Sequence, residues 1–422
     1  MESLAPFLAF LVAAVALVIV SNRLRIPYTI SLVLFGFALG FAAQDLGFQS
    51  AFGNISEVFS GNFFFDLLLP PIIFEAAIHL NFHFLRMRAG MVTFFVVIGV
   101  IFTTFFTGFL VSWVAAIPLV AALLLASILS PTDPIAVVDL LRRMKVPREL
   151  STIVEAESLL NDAVGVILFT ILLAIVQGGQ ANIGASTLQF LWLSGGGAAI
   201  GLITAAAIYF LHRRLNDPVV ETALTIVTAY GSFVAATAIG ASGIVSTAIA
   251  GIAFGTFVAP RAINIQGRNL AVEFWRVIVY VANAVIFLSM GFLFSLERLG
   301  NYIPLIALVF VTLFAGRAIF IYAHYPIANA WRGRRARLPR HWYNLLTLAG
   351  IRGAIPIVLA LSLLTTSTSL SPDLLNTIVG TVLGVSFASI LIGDISAEWY
   401  VRKAFRGPPE ETSEASESAT TG

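Results

Sequence analysis

Five polar residues crowd into eight positions of an otherwise apolar run, STIVEAESLLNDAVGVILFTILL: Glu155, Glu157, Ser158, Asn161 and Asp162. At 3.6 residues per turn, spacings of three and four place Ser158, Asn161 and Asp162 on one helix face. Glu157 falls on an adjoining face, four residues before Asn161. Carboxylate, hydroxyl and amide oxygens gathered this way suit a hard cation or a proton. Asp162 is the deepest carboxylate and reads as an ion ligand or proton carrier. Glu155 reads as a residue at the start of the helix, near the interface, where the helix N-terminus favours an acid.

A second cluster lies in LLLASILSPTDPIAVVDLL, where Pro131 and Pro134 bracket Thr132 and Asp133. Each proline removes an amide donor and disfavours helix in the residue before it. The backbone is expected to unwind there. In a membrane, unwound backbone is tolerated only where it is buried in protein or faces water. Its freed carbonyls can hold a small cation beside a carboxylate. A simple kink is the alternative, and it leaves Asp133 unexplained. Asp139 reads as a partner of Arg142 and Arg143.

Other buried charges need reasons too. In FFFDLLLPPIIFEAAIHL, Asp66 lies near the outer end, and Glu75 follows Pro70 and Pro71 deep in an apolar run. Glu75 is either an ion ligand or a protonated carboxyl bonded to a neighbouring helix. Arg317, in LVFVTLFAGRAIFIY, keeps its proton and requires a buried anionic partner. Arg352, in LLTLAGIRGAIPIVLAL, is surrounded by Gly350, Gly353 and Pro356, which predicts a second broken helix. Paired breaks in two halves of a chain point to a transporter of inverted repeats, with its site where the breaks cross.

The elements that carry these residues follow from composition. Of 422 residues, 59% are hydrophobic and 11% charged, against about 25% charged in soluble domains. Water is not the solvent of this chain. A span needs ~20 apolar residues. Thirteen runs qualify: roughly 4–20, 27–43, 63–80, 90–113, 118–141, 151–176, 187–211, 218–239, 243–259, 270–295, 302–324, 342–366 and 373–401. The first has no basic residue before it and reads as a retained span rather than a signal peptide. The fold expected is all-α and polytopic, with one transmembrane domain over 1–405. Residues 406–422, with Glu410, Glu411, Glu414 and Glu417, are expected to form a disordered acidic tail.

Loop charge tests this layout. With the N-terminus outside, the inward connections hold Arg23 and Arg25; Arg86 and Arg88; Arg142, Arg143, Lys145 and Arg148; Arg213 and Arg214; Arg261 and Arg268; Arg332, Arg334, Arg335, Arg337 and Arg340; and Arg402, Lys403 and Arg406. These are 20 of the 24 basic residues, and the outward connections hold only Arg298. That alternation obeys the positive-inside rule and places the C-terminus in the cytoplasm. The arginine-rich stretch 331–341 reads as an orientation signal in contact with anionic lipid.

In order and placement, LLPPIIFEAAIHL, SPTDPIAVV, ESLLNDAV and GIRGAI closely resemble the sodium/proton exchanger branch of the monovalent cation/proton antiporter superfamily. The resemblance covers residues 1–405. It implies exchange of sodium, and of lithium, for protons, in a homodimer of the cell membrane serving pH and sodium homeostasis. It implies that Asp162 binds cation and proton alternately. Ser158, Glu75, Asp133 and the Thr132 backbone complete the implied sodium site. Asn161 matches the electroneutral type, in which one sodium exchanges for one proton. The buried ion pair of the family maps to Glu157 and Arg317, and Arg352 to the arginine of its GxRGA stretch. Pro356 and Ala156 depart from common residues of the family. No cofactor is implied.

Other readings are weaker. Potassium/proton exchange on the same scaffold uses nearly the same ligands. A channel would conduct without proton coupling. An intramembrane enzyme lacks its motifs: there is no HExxH and no GxGD. His79 and His83, spaced i,i+4, read as interfacial polar residues. Without cysteine there are no thiolate sites. No basic block with interleaved aromatics suggests nucleic acid. The only lysines, Lys145 and Lys403, lie in cytoplasmic segments, which excludes a retinal-linked pump.

Overall fold

A computed structural model describes residues 12–17, 19–21, 23, 28–45, 63–80, 82–133, 141, 146–179, 182–213, 215, 217–293, 296–331 and 339–404. Its labelled helices are α1 (Tyr28–Asp45), α2 (Leu69–Ile78), α3 (Phe82–Thr93), α4 (Gly99–Ala115), α5 (Leu119–Ile128), α6 (Arg148–Val176), α7 (Ile183–His212), α8 (Pro218–Ala238), α9 (Gly243–Ala253), α10 (Ala259–Ala262), α11 (Ile265–Leu293), α12 (Leu296–Trp331), α13 (Arg340–Leu348), α14 (Ala354–Thr365) and α15 (Pro372–Ala404). Wider π-turns at Phe63–Leu68, Phe94–Ile98 and Phe254–Val258 lead into α2, α4 and α10. Eight helices among the described residues are long and apolar enough to cross a membrane. Shorter apolar helices include Leu119–Ile128 and Ala354–Thr365, each of which abuts a break. The first expected run is described only in parts. Pro134, Asp139 and the tail lie outside the described residues.

Local chemistry sets the helix starts. Asp217 caps α8 by accepting the Val219 and Val220 amides at 2.8 and 3.2 Å, with Pro218 as the first helical residue. Asn182 and Ser242 cap α7 and α9 in the same way. The N-terminus of α6 differs from the expectation. It begins at Arg148, just after Pro147, so Glu155 sits two turns inside the helix rather than at its start.

The helices form two groups. In one, α1 packs on α11 and α2 on α9, with α8 against both α9 and α11. Glycines bring α1 and α11 backbone to backbone, and likewise the end of α2 and the π-turn that follows α9. A methyl added at Gly291 would lie 2.1 Å from the Val33 carbonyl oxygen, and one at Gly255 would lie 2.3 Å from that of Ile78. Close approach at small residues drives helix association in lipid, where no hydrophobic effect separates the helices from their solvent. In the other group, α4 packs on α5 and α12, α5 on α6, and α14 on α15. Here one order occurs twice: long helix, interrupted helix, long helix.

Both interruptions fall where the sequence places them. After α5, a turn at Leu129 gives way to non-helical backbone at 130–133. After α13, residues 350–353 are likewise non-helical before α14 begins. The Asp133 amide donates to the Ile351 carbonyl at 2.7 Å, so the two breaks cross. Pro356 does not interrupt anything. It lies in the first turn of α14, where its missing N–H has no intrahelical acceptor to lose.

Candidate ion-binding site

The first break is stitched to α6 by the side chains expected to share a face. Asn161 is the centre of the stitch. Its Nδ2 donates to the Thr132 Oγ1 at 2.7 Å, and its Oδ1 accepts the Thr132 amide at 3.3 Å. Ser158 Oγ donates to the Thr132 carbonyl. Thr132 therefore has its amide, carbonyl and hydroxyl all engaged by α6. Close packing permits this: a methyl at Gly165 would lie 2.7 Å from the Pro131 ring. The Asp162 carboxylate lies within reach of the Thr132 backbone amide and of the charges of Asp133 and Glu157. Asp133 in turn rests on the second break. A methyl at Gly353 would lie 2.2 Å from its Cβ and 2.1 Å from its Oδ2. That puts its negative charge beside the N-terminal end of α14, where the helix dipole is positive.

Behind this site lies the ion pair. Arg317 donates from Nη1 and Nη2 to the two Glu157 oxygens, each at 2.8 Å. The side chains are only 10% and 8% exposed. A bidentate guanidinium–carboxylate pair is among the stronger polar contacts available. Arg317 also donates to the Leu346 carbonyl from Nε and Nη2, at 3.0 and 2.8 Å. Leu346 lies in the last turn of α13, whose carbonyls the break leaves without intrahelical donors. Gly350 makes room for this: a methyl there would lie 2.6 Å from Arg317 Cδ. Sequence reasoning found the pair but missed the Leu346 carbonyl. The available signal was the second break itself, which had to leave acceptors unpaired.

Arg352 does the same for the first break. It is buried, and its Nη1 lies 3.4 Å from the carbonyls of both Ser130 and Pro131. Its amide donates to Ser389 Oγ on α15 at 2.9 Å, a partner the sequence did not suggest. A cavity of about 20 Å³, room for about one water, lies among Thr103, Ser130, Glu157, Arg317 and Arg352.

Glu75 is placed differently. It lies three residues from the end of α2, with its side chain 24% exposed, and its carboxylate is 3.4 Å from His79 Nδ1. His79 Nδ1 is also 2.8 Å from the Glu75 carbonyl. The helix α2 packs against α6, so Glu75 stands beside the site with its charge paired on its own helix. Farther out, Glu398 pairs with Arg402, and Glu273 with Arg276, on exposed surfaces. Among the described residues no group of three or more histidines, aspartates and glutamates forms a metal cage.

The sodium/hydrogen exchanger transmembrane family matches residues 9–398 of the chain. The chain belongs to this family. It is 31% identical over 380 residues to the Na(+)/H(+) antiporter ApNhaP of Aphanothece halophytica, covering 90% of this chain and 70% of that protein. It is 27% identical over 427 residues to the Na(+)/H(+) antiporter NhaP of Pseudomonas aeruginosa, covering 96% and 98%. The structure of the sodium proton antiporter MjNhaP1 from Methanocaldococcus jannaschii superposes with a TM-score of 0.78, at 20% identity and over 96% of this chain and 99% of that one. The fold is therefore that of a sodium/hydrogen exchanger, and the protein is a multi-pass membrane transporter.

Proposed function

We propose that the chain exchanges sodium, and lithium, for protons at Asp162, one monovalent cation per proton. The observation that carries this is a charge balance. Asp133 and Glu157 each lie within electrostatic reach of Asp162, and Arg352 within reach of Arg317 and Glu157. Three carboxylates face two guanidiniums, leaving one negative charge over. A single proton or a single monovalent cation neutralises it. A charge at membrane depth costs ~2.5–3.5 kcal/mol or more, so the site crosses readily only when occupied by one or the other. Asn161 supports the count: as an amide locked between Thr132 and Glu157, it adds no charge.

The sodium ligands in this reading are Asp162, Ser158, Asp133, the Thr132 backbone and Glu75. Glu75 contributes through a bridging water while its carboxylate stays against His79, so it remains outside the charge count. The broken-helix group moves against the glycine-packed group. The protein works as a homodimer in the cell membrane, N-terminus outside and C-terminus in the cytoplasm. Proton flux in proteoliposomes tests the reading. Asp162→Asn is expected to abolish sodium-driven flux while the protein still purifies folded; retained flux sinks the assignment. Flux that responds steeply to membrane potential at fixed ion gradients overturns the one-for-one exchange. Equal or faster flux with potassium would replace sodium as the substrate.

A further inference from the structure

Arg352 is 4% exposed and carries a full fork of N–H donors. Among the described residues only its Nη1 has acceptors. These are the Ser130 and Pro131 carbonyls, and both lie at 3.4 Å, beyond the usual range of a hydrogen bond. Glu157 acts on Arg352 through space, but Arg317 takes both Glu157 oxygens. A charge buried this deeply needs further acceptors. The cavity beside it offers room for one. Its polar wall is formed by Thr103 of α4, Ser130, Glu157 and the two arginines. The Thr103 hydroxyl is buried with no hydrogen-bond partner among the described residues. Ser130 Oγ donates to the Ser127 carbonyl at 2.8 Å, so its oxygen is still able to accept. Phe95 and Phe320 close the apolar side, their rings edge to face at 6.2 Å. Gly99 admits the second ring: a methyl there would lie 2.8 Å from it. Apolar cavities stay dry, but one with several polar partners holds water.

We propose that this cavity binds one water, which accepts from the Arg352 guanidinium and donates to Thr103 and Ser130. Charge selects the occupant. Two guanidiniums repel a cation, and an anion would stand against the Glu157 carboxylate, so a small neutral molecule that both accepts and donates fits. The water makes Thr103 a positioning residue for the first break. Arg352 stands between two claims on its charge: Glu157, and the carbonyls of Ser130 and Pro131. With the water as a further acceptor, the guanidinium stays on the carbonyls. Without it, the guanidinium is drawn toward Glu157 and the break loses its charged donor. Thr132 is the next residue, and its carbonyl and hydroxyl are held by Ser158 and Asn161. Slack at Ser130 and Pro131 therefore passes directly to the backbone that faces the exchange site.

X-ray radiolysis of the purified full chain tests this. Radicals formed from a bound water label the side chains beside it, even where bulk water does not reach. Phe95 and Phe320 are expected to be labelled several-fold faster than Phe74 and Phe233, which are also buried but do not line the cavity. Thr103→Val keeps the shape and removes the hydroxyl, and is expected to cut that labelling several-fold. Thr103→Ser keeps the hydroxyl and is expected to retain it; a purely steric role for Thr103 would reverse the two. A second arm rests on the exchange reading. In sodium-driven flux, Thr103→Val is expected to weaken the apparent sodium affinity about threefold, with Thr103→Ser near wild type. The labelling arm needs no transport, so failure of the water site and failure of the exchange reading are told apart. Labelling of Phe95 and Phe320 no faster than that of the controls, or undiminished in Thr103→Val, overturns the water site. Unchanged sodium dependence in Thr103→Val overturns the positioning role.

Discussion

The two broken helices meet, yet they are built from opposite materials. The first break is made by prolines and carries an acid, Asp133; the second is made by glycines and carries a base, Arg352. Each lends its charge to the other. Arg352 reaches carbonyls of the first break itself, those of Ser130 and Pro131, and Asp133 rests at the start of the second break's trailing helix. The second break also takes Arg317 on its Leu346 carbonyl. So a helix end opened inside the membrane is answered by an opposite charge from elsewhere. The prolines need no such close approach; the glycines exist to permit it. Interruption alone is cheap to encode. What distinguishes the breaks is which neighbour each must admit.

The largest way to break this arrangement is through Arg317. Glu157→Ala leaves the guanidinium buried with only the Leu346 carbonyl as partner. A loss of about 3–5 kcal/mol is expected, read as reduced thermal stability of the purified protein in detergent. The pair itself need not be net stabilising, since desolvation opposes it. The double variant Glu157→Leu with Arg317→Leu is therefore expected to recover much of that loss. If it does not, the contact of Arg317 with the second break matters more than its ion pair.

This pairing shows how far the sequence could be read. Buried charges are scarce in a membrane chain, so Glu157, Arg317, Arg352 and Asp162 stood out on types alone. Helical spacing put Ser158, Asn161 and Asp162 on one face, and two of them do meet Thr132. Proline and glycine placed both breaks. What the sequence could not supply was depth and direction. Glu75 looked deep because apolar residues surround it, but α2 ends at Ile78 and leaves it one turn from the end, against His79. Backbone acceptors were invisible for a different reason: Leu346, Ser130 and Pro131 carry no polar side chain, and only the fold shows whose donors reach them.

The next effect sharpens the contrast between the breaks. Gly353→Ala drives a methyl into Asp133, whose Cβ would lie 2.2 Å away. Overpacking of this kind costs about 3 kcal/mol, and exchange should fall with it because Asp133 is displaced. Alanine at an open glycine such as Gly195, which has no neighbour within 4 Å, is the control and should cost nothing measurable. Somewhat smaller is Arg352→Met, which keeps the length and removes the donor. It leaves the Ser130 and Pro131 carbonyls buried without a charge-assisted partner, for about 2 kcal/mol. Equal losses from Gly353→Ala and the control would mean that the breaks do not depend on mutual contact.

The smallest effect concerns the stitch between the first break and α6. Ser158→Ala removes one donor from the Thr132 carbonyl while Asn161 still holds the hydroxyl and the amide. About 1 kcal/mol of stability is expected to go. The effect on transport should be larger than that figure implies. Freed of Ser158, the Thr132 carbonyl is less well fixed, and the site loses one oxygen ligand for a cation while keeping the carboxylate that takes the proton. The apparent affinity for sodium should therefore fall several-fold, at little cost to the maximal rate, in sodium-driven flux measured over a concentration series. A drop in maximal rate with unchanged sodium dependence would place Ser158 in the framework of the break and take it out of the ligand set.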